Sequence, residues 1–142
     1  MESTLTHTAC PLCQTAGEDV LFSNDLYRIV AVNDLAWPGF CRVILNRHAA
    51  EMTDLPMEDR AALMNAVYVV ESALRTLMNP TKINLASLGN VVPHVHWHII
   101  PRWTDDSHFP DPIWAPARRQ LQPVRNEPDR AAFIQMITYN LA

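Results

Sequence analysis

The stretch His94-Val95-His96-Trp97-His98-Ile99-Ile100 alternates histidine with apolar residues. Because successive side chains of a β-strand point to opposite faces, this period of two predicts a strand over Val95–Ile100, with all three histidines on one face. The apolar residues between them then face the core. Three imidazoles on one face pack poorly, since each ring carries two nitrogens that need polar partners. We therefore interpret the histidine face as a functional site.

Two kinds of chemistry fit a face of this kind. Neighbouring positions on one face of a strand lie about 7 Å apart, so a single phosphate group can contact two of the rings. A neutral imidazole can attack phosphorus to form a covalent intermediate, while its neighbour assists the leaving group. The alternative is a catalytic metal ion, because His-x-His pairs on strands also bind zinc when a third ligand converges. The strand pattern alone leaves both readings open.

The segments around this stretch indicate an α+β domain with an antiparallel sheet. Short apolar runs with β-branched residues predict four further strands: Val20–Phe22, Tyr27–Val32, Arg42–Asn46 and Lys82–Leu88.

A long helix is predicted between Pro56 and Asn79-Pro80. Its buried stripe is marked by apolar residues at helical spacing: Leu63, Val67, Val70, Leu74 and Leu77. From Pro110 to Pro128 prolines recur among polar residues, which predicts an irregular segment wrapped on the domain.

Cys10 and Cys13 have the Cys-x-x-Cys spacing that lets two thiolates bind one tetrahedral metal ion. In a reducing compartment this spacing favours metal ligation over a disulfide. Two further ligands must then come from elsewhere in the chain. The alternative is a pair of ordinary reduced thiols at a turn. Cys41 lies within a strand pattern and is interpreted as a small buried apolar residue.

Length and composition restrict the class of protein. A chain of 142 residues, of which 49% are apolar, predicts one domain with a substantial core. No apolar run reaches the ~20 residues that span a bilayer, and Met1–Ala9 lacks the apolar region of a signal peptide, so we expect a cytoplasmic protein with no membrane partner. The net charge of −4 argues against broad nucleic-acid binding, but it allows a small anionic substrate held by a local site.

The stretch 94–100 matches the histidine triad pattern His-φ-His-φ-His-φ-φ, in which φ is apolar, at every position. Further matches occur in the same order and spacing: Cys10-Pro11-Leu12-Cys13, Pro38-Gly39, Arg47-His48, Thr53-Asp54-Leu55 and Pro101-Arg102. The chain therefore resembles the histidine triad (HIT) superfamily of nucleotide hydrolases and transferases. The resemblance implies a single HIT-like domain over residues 1–142, with a zinc-binding N-terminal segment 1–18 and a C-terminal extension 104–142 packed on the domain.

The resemblance also implies roles for individual residues. His96, the middle histidine, would be the nucleophile and would form a nucleotidyl-histidine that water then cleaves. His98 would contact the phosphate or the leaving group. Asn33 resembles the position that binds the nucleotide ribose, and Asn84 resembles a polar residue on the phosphate side.

Some HIT relatives bind zinc with two cysteines and two histidines in this arrangement. The resemblance therefore implies a structural zinc ion held by Cys10, Cys13, His48 and His94. Such a site would be closed, without an open coordination position, and it would tie the start of the catalytic strand to the N-terminal segment.

One departure concerns the residues before the triad. Related enzymes often carry Ser or Thr three positions before the first histidine with a polar residue beside it, where this chain has Val91 and Asn90. The missing hydroxyl removes a donor toward the leaving group, and we hypothesise that Asn90 compensates in substrate binding. Arg102 is assigned to the substrate phosphates, with an ordinary surface ion pair as the alternative. Trp114 either covers a base or packs the C-terminal segment on the core.

These observations predict a hydrolase that cleaves a nucleotide at its α-phosphorus, with a dinucleoside polyphosphate or a nucleoside phosphoramidate as the substrate. Two alternatives stay open: a nucleotide-binding protein with little or no catalysis, and a zinc hydrolase that uses the triad histidines as metal ligands. HIT relatives are commonly dimers, and an exposed sheet edge would favour pairing, so a homodimer is expected.

Overall fold

The computed structural model of the protein describes residues 9–142. Residues 1–8, which include the start of the predicted segment 1–18, lie outside the described residues. Within the described part, five strands form one antiparallel sheet: β1 Asp19–Ser23, β2 Tyr27–Ala31, β3 Cys41–Leu45, β4 Lys82–Ala86 and β5 His96–Arg102. Their order in the sheet is β1-β2-β3-β5-β4, so β5 lies between β3 and β4. The predicted α+β class with an antiparallel sheet is confirmed.

The last strand differs from its prediction at both ends. β5 begins at His96 rather than at Val95, and it continues through Pro101 to Arg102. Proline has no N–H to donate, but β5 pairs with β3 only as far as Ile99. Beyond that residue one side of β5 has no neighbouring strand, and a proline is tolerated there.

β4 ends at Ala86, two residues before the predicted end of this strand. The hydroxyl of Ser87 donates to the carbonyl oxygen of His96 at 2.7 Å. A side-chain donor thus takes the acceptor at the start of β5, and the backbone ladder stops one residue earlier.

The predicted long helix is confirmed as α1, Met57–Met78. It begins after Pro56 and ends at Asn79, whose left-handed φ of 48° lets its N–H donate to the Arg75 carbonyl. Four residues of the predicted stripe are buried, and the fifth packs at the margin of the core: Leu63, Val67, Val70 and Leu74, then Leu77.

A second helix, α2, spans Arg130–Leu141 at the end of the C-terminal segment. The carboxylate of Asp129 caps its first turn by accepting from the N–H of Ala132. Phe133 and Ile137 are buried, because α2 packs against α1 and β1. No helix within residues 9–142 is long and apolar enough to cross a membrane.

The two faces of the sheet are covered differently. On one face, strand residues such as Val43 and Ile99 pack with both helices in the main hydrophobic core. The opposite face carries a smaller apolar cluster of Trp37, Phe40 and Ile100, against which Ile113 of the irregular segment packs. This second face is therefore covered in part by irregular chain, and the histidines of β5 lie on it.

Gly39, in the loop between β2 and β3, lies close to the end of α1 and to β5. Its φ is 82°, in the left-handed region that favours glycine. A Cβ built on it would lie 2.5 Å from Sδ of Met78 and 3.0 Å from Cγ of Pro101. The end of α1 and the proline in β5 therefore leave no room for a side chain at this position.

We expect Gly39→Ala to lower the free energy of unfolding by about 3 kcal/mol, because left-handed strain and overpacking add. Gly17→Ala is the matched control, since Gly17 has the same φ of 82° but a Cβ there meets nothing within 4 Å. Its expected loss is about 1 kcal/mol, from strain alone. Urea unfolding of both variants measures the difference, and equal losses would contradict the close approach at Gly39.

Candidate functional site

The register of β3 and β5 brings four side chains together on the face opposite the helices. Ile44 is the cross-strand partner of His96, and Arg42 is the partner of His98. Directly opposed residues of antiparallel strands project to the same face. Both histidines are buried, and their ring centroids lie 4.9 Å apart with the planes at 80°. The site is thus a pair of imidazoles flanked by one apolar and one cationic side chain.

A hydrogen bond fixes the tautomer of His96. Its Nδ1 lies 2.6 Å from the carbonyl oxygen of His94. A carbonyl oxygen only accepts, so Nδ1 carries the proton and Nε2 keeps its lone pair. Burial lowers the pKa of His96 below the usual 6.5, although this hydrogen bond acts to raise it. An uncharged imidazole with Nε2 unprotonated is the form that can act as a nucleophile.

His98 is contacted by residues of two segments. Arg42 Nε donates to Nδ1 of His98 over 3.4 Å, so the proton of the neutral ring lies on Nε2. The rings of Phe40 and Trp114 pack against it, with centroid distances of 5.7 and 5.1 Å. Burial, followed by the charges of His96 and Arg42, lowers the pKa of His98 to about 4. At neutral pH His98 is therefore an uncharged hydrogen-bond donor.

His94 departs from the predicted shared face, because β5 begins two residues after it. Its Nε2 donates to the Leu45 carbonyl oxygen at 2.6 Å. Its Nδ1 lies 3.4 Å from Sγ of Cys10 and 3.6 Å from Sγ of Cys13. The expectation that all three histidines point the same way was wrong in this respect: the His94 ring faces the N-terminal segment and meets His96 through its carbonyl oxygen.

Four side chains form a candidate metal centre at this point. The ligand atoms of Cys10, Cys13, His48 and His94 all lie within 4.8 Å of one another. The short turn Pro11–Cys13, a 3-10 helix, brings the two cysteines together, and Nδ1 of His48 lies 3.5 Å from Sγ of Cys13.

The spacing of these atoms matches a tetrahedral ion. With metal–sulfur bonds of about 2.3 Å and metal–nitrogen bonds of about 2.0 Å, tetrahedral angles give S···N separations of about 3.5 Å. The three measured separations are 3.4, 3.5 and 3.6 Å. The Leu45 carbonyl also fixes the His94 tautomer with Nδ1 available as a ligand, as the outer partners of metal-bound histidines do.

The alternative, in which the three triad histidines bind a catalytic metal ion, is not supported by a geometry of this kind. Within residues 9–142, the metal-like cluster is the Cys10, Cys13, His48 and His94 group, and it takes His94 alone from the triad. His96 and His98 pack against each other instead, with ring centroids 4.9 Å apart.

Asn33 lies beside a groove that reaches the histidine face. The groove has a volume of about 380 Å³ and runs from Arg42 and Ile44 to Asn33. Asn33 has a left-handed φ of 60°, and its amide donates to Asp19 at 2.9 Å. Arg130 at the start of α2 binds the same carboxylate at 2.6 and 3.0 Å and lowers the pKa of Asp19. The C-terminal helix thus helps to hold the amide that sequence analysis assigned to ribose.

Arg102 is engaged inside the protein. It is 1% exposed and binds Asp106 through two contacts of 2.8 and 3.0 Å. It also donates to Asn84 Oδ1 and to the Asp111 carbonyl, each at 2.8 Å. Burial acts to raise the pKa of Asp106, but the bonds from Arg102 and neighbouring backbone N–H groups lower it to about 2. For Arg102 the structure thus shows the alternative, an ion pair, but this pair is buried rather than on the surface.

The residues before the triad lie at the surface. Asn90 is exposed, and Val91 is 92% exposed. The nearby hydroxyl is that of Ser87, which is bonded to the His96 carbonyl. The compensating role of Asn90 stays a prediction.

Sequence reasoning missed Arg42 and Ser87 as members of the site. Arg42 lies in a predicted strand, but its place opposite His98 depends on the pairing of β3 with β5. No local pattern gives that register, because the two strands are separated by α1 and β4 along the chain. The role of the Ser87 hydroxyl could not be predicted either, because it donates to a backbone carbonyl, which no side-chain pattern marks.

Comparison with protein families gives a match to the HIT domain over residues 14–105. Among characterised proteins, an AP-4-A phosphorylase of Mycobacterium tuberculosis (strain CDC 1551 / Oshkosh) is 31% identical over 78 residues. The bifunctional bis(5'-adenosyl)-triphosphatase/adenylylsulfatase FHIT of Arabidopsis thaliana is 31% identical over 102 residues. These alignments cover 51% and 68% of this chain, but only 40% and 56% of the two relatives.

Solved structures show the same fold over nearly the whole chain. The histidine triad protein blr8122 of Bradyrhizobium japonicum is 25% identical with a TM-score of 0.70, covering 99% of this chain and 100% of that one. A histidine triad protein of Sinorhizobium meliloti 1021 is 26% identical with a TM-score of 0.67, covering 87% and 90%.

We expect the His98 imidazole to titrate near pH 4 in NMR spectra and to stay unprotonated from pH 8 to 5. Trp114→Ala should raise this pKa toward 6.5, because it exposes the ring to water. Trp103→Ala is the matched control and should leave it unchanged. The unfolded chain binds a proton to this residue below about pH 6.5, so its contribution to stability falls as the pH drops from there to about 4. A pKa of 6 or more in the unmodified protein would contradict the burial argument.

Proposed function

This chain belongs to the HIT domain family, and we propose that it is a nucleotide hydrolase that cleaves its substrate at the α-phosphorus through a nucleotidyl-histidine intermediate. The observation that carries the proposal is the state of His96. Its Nδ1–H is bonded to the His94 carbonyl, which leaves Nε2 unprotonated, and its ring packs against that of His98. Arg42 and Ile44, the cross-strand partners of the two histidines, line a groove beside them.

The reaction needs two displacements at phosphorus. In the first, the Nε2 lone pair of His96 forms a bond to the α-phosphorus, and the bond to the leaving group breaks with its electron pair. The leaving group then takes a proton from solvent. In the second, water attacks the same phosphorus, the N–P bond breaks, the electron pair returns to Nε2, and one proton of the water is released.

His98 supports both displacements without supplying a charge. Its Nε2–H can donate to an oxygen of the phosphate or of the leaving group, because Arg42 occupies Nδ1. Asn33 at the far end of the groove is the proposed contact for the ribose. Asn84 and Arg102 are bonded to each other at the edge of the site. A phosphate contact stays a prediction for Asn84, whereas the guanidinium of Arg102 is already paired with Asp106.

The substrate class follows from the named relatives and from the chemistry of the site. The two characterised relatives act, by their names, on diadenosine tetraphosphate and on bis(5'-adenosyl) triphosphate. We propose a dinucleoside polyphosphate or a nucleoside phosphoramidate for this chain. Both present an α-phosphorus between a nucleoside and a leaving group.

We propose zinc as the ion at the Cys10, Cys13, His48 and His94 centre. Two thiolates and two imidazoles in a tetrahedral array are typical of structural zinc, with no position left for substrate. When bound, the ion would hold the N-terminal turn against the residue that orients the nucleophile.

Two predictions about the state of the protein remain predictions. β4 forms one edge of the sheet, and a groove of about 710 Å³ lies along it, which supports the expected homodimer. Sedimentation equilibrium, which measures the mass of the protein in solution, tests this expectation. The cytoplasmic location is likewise expected from the sequence alone.

A second candidate is a nucleotide-binding protein with little or no catalysis. The exposed Val91 at the position where related enzymes often carry a hydroxyl supports it. Tight nucleotide binding without turnover would favour this candidate over the hydrolase.

We expect His96→Ala to reduce the release of AMP from diadenosine tetraphosphate and from adenosine 5′-phosphoramidate by at least about 1,000-fold, because the covalent step is lost. His108→Ala removes an imidazole elsewhere and should retain turnover. Circular dichroism and metal content check that each variant is folded. Unchanged turnover by His96→Ala would exclude this nucleophile, and the absence of turnover in the unmodified protein would favour the binding candidate.

We expect Cys13→Ser to lower the zinc content from about one atom per chain to near zero after dialysis, because a three-ligand remnant binds weakly. The melting temperature should fall at the same time. Cys41→Ala is the control: Cys41 is buried in the core away from the metal cluster, so zinc should be retained. Mass spectrometry of the metal decides. Unmodified protein from zinc-replete medium that holds no metal would contradict the proposal.

A further inference from the structure

We propose that Arg42 binds a phosphate group of the nucleotide, an assignment that rests on the proposed function of the same site. It names the cation that holds the reacting anion, which neither the family match nor the motif indicates. The inference comes from the charges on this face of the sheet.

Two other arginines near the site are already neutralised. Arg28 is 5% exposed and binds Glu18 through contacts of 2.6 and 2.9 Å. Arg102 is paired with Asp106 in the same bidentate manner. Their charges are balanced inside the protein, so neither guanidinium is available to an incoming anion without breaking a buried ion pair.

Arg42 differs from both. Among residues 9–142 no carboxylate forms an ion pair with it, although it is half-buried. Its guanidinium lies over the Phe40 ring, 5.6 Å from the centroid, and its Nε donates to His98. Burial lowers the pKa of Arg42, while the more distant charge of Glu18 acts in the opposite direction.

Only one of the five N–H groups of Arg42 has a hydrogen-bond acceptor within the described residues, namely His98 Nδ1. The Arg42 side chain lines the groove that leads to Asn33. A partly desolvated cation without a counter-ion is unfavourable. The arrangement therefore favours an anion that arrives with the substrate.

The position of Arg42 suits the phosphate that His96 attacks. Arg42 lies directly opposite His98 and diagonally opposite His96, where β-carbons are separated by about 7–8 Å. A long arginine side chain spans that distance, and its planar fork matches two oxygens of one phosphate.

The two histidines cannot replace this charge. The pKa of His98 is lowered to about 4, so its ring is uncharged near pH 7. The proton of His96 lies on Nδ1, bonded to the His94 carbonyl oxygen, and its Nε2 presents a lone pair. His98 can donate a hydrogen bond to the same phosphate, but the fixed positive charge on this part of the face is that of Arg42.

The test compares the binding of AMP and adenosine, which differ only in the phosphate. We expect Arg42→Met to weaken AMP binding by about 10- to 100-fold, the range for a charge-assisted hydrogen bond, and to change adenosine binding less than about 2-fold. Arg42→Lys keeps the charge without the fork and should fall between the unmodified protein and Arg42→Met. Arg125→Met is the matched control, since Arg125 lies against Trp103 and Asp105, and it should bind both ligands normally.

Isothermal titration calorimetry measures all four proteins, with near-UV circular dichroism and zinc content as checks of folding. Equal losses for AMP and adenosine would overturn the proposal, because Arg42 would then contact the nucleoside. Unchanged AMP affinity in Arg42→Met would also overturn it, as would unmodified protein that binds AMP no more tightly than adenosine. The readout is binding, so a protein that binds AMP through Arg42 without cleaving dinucleotides would refute the hydrolase and leave this assignment standing.

Discussion

The hydrogen bond from His96 Nδ1 to the His94 carbonyl is the interaction on which the site depends. It fixes which nitrogen of the proposed nucleophile is unprotonated, and it requires the His94 backbone to stay in one place. His94 is held by its ring, which lies between the Leu45 carbonyl and the two cysteine sulfurs. One residue thus connects β3, the N-terminal turn and β5, by using its side chain in one direction and its backbone in the other.

This arrangement explains why a candidate metal centre lies so close to a site whose proposed chemistry does not use a metal ion. An imidazole in the core needs partners for both nitrogens. Leu45 supplies one partner, and the Cys10 and Cys13 thiols lie at the other nitrogen. A buried histidine that satisfied both nitrogens through backbone groups could orient His96 equally well. A metal ion bound by this cluster would add rigidity, because it would join four ligands from three separate segments of the chain.

Much of this could be predicted from the sequence, because the signals were local. The alternation in residues 94–100, the stripe of α1 and the Cys-x-x-Cys spacing each lie within one element. What could not be predicted depends on pairing between distant elements. His94 turns away from the histidine face because β5 begins two residues later. Its ring bonds instead to the carbonyl of Leu45, which lies in β3. Arg102 is buried because Asp106 balances its charge. Asp106 is close in sequence, but the sequence alone did not show whether its carboxylate faces Arg102 or solvent. The place of Arg42 opposite His98 required the register of β3 on β5.

Asp106, which balances the charge of Arg102, determines how short a segment of this chain can be transferred to another protein. The family match ends at residue 105, one position before Asp106. A fragment cut at that boundary would keep a guanidinium that is 1% exposed in the intact chain and would remove the carboxylate that balances it. It would also lose Trp114, which packs on His98, and Arg130, which binds the carboxylate next to Asn33. The recognisable family segment is therefore smaller than the unit that can be transplanted, and a chimaera of HIT proteins should exchange the C-terminal extension together with the triad.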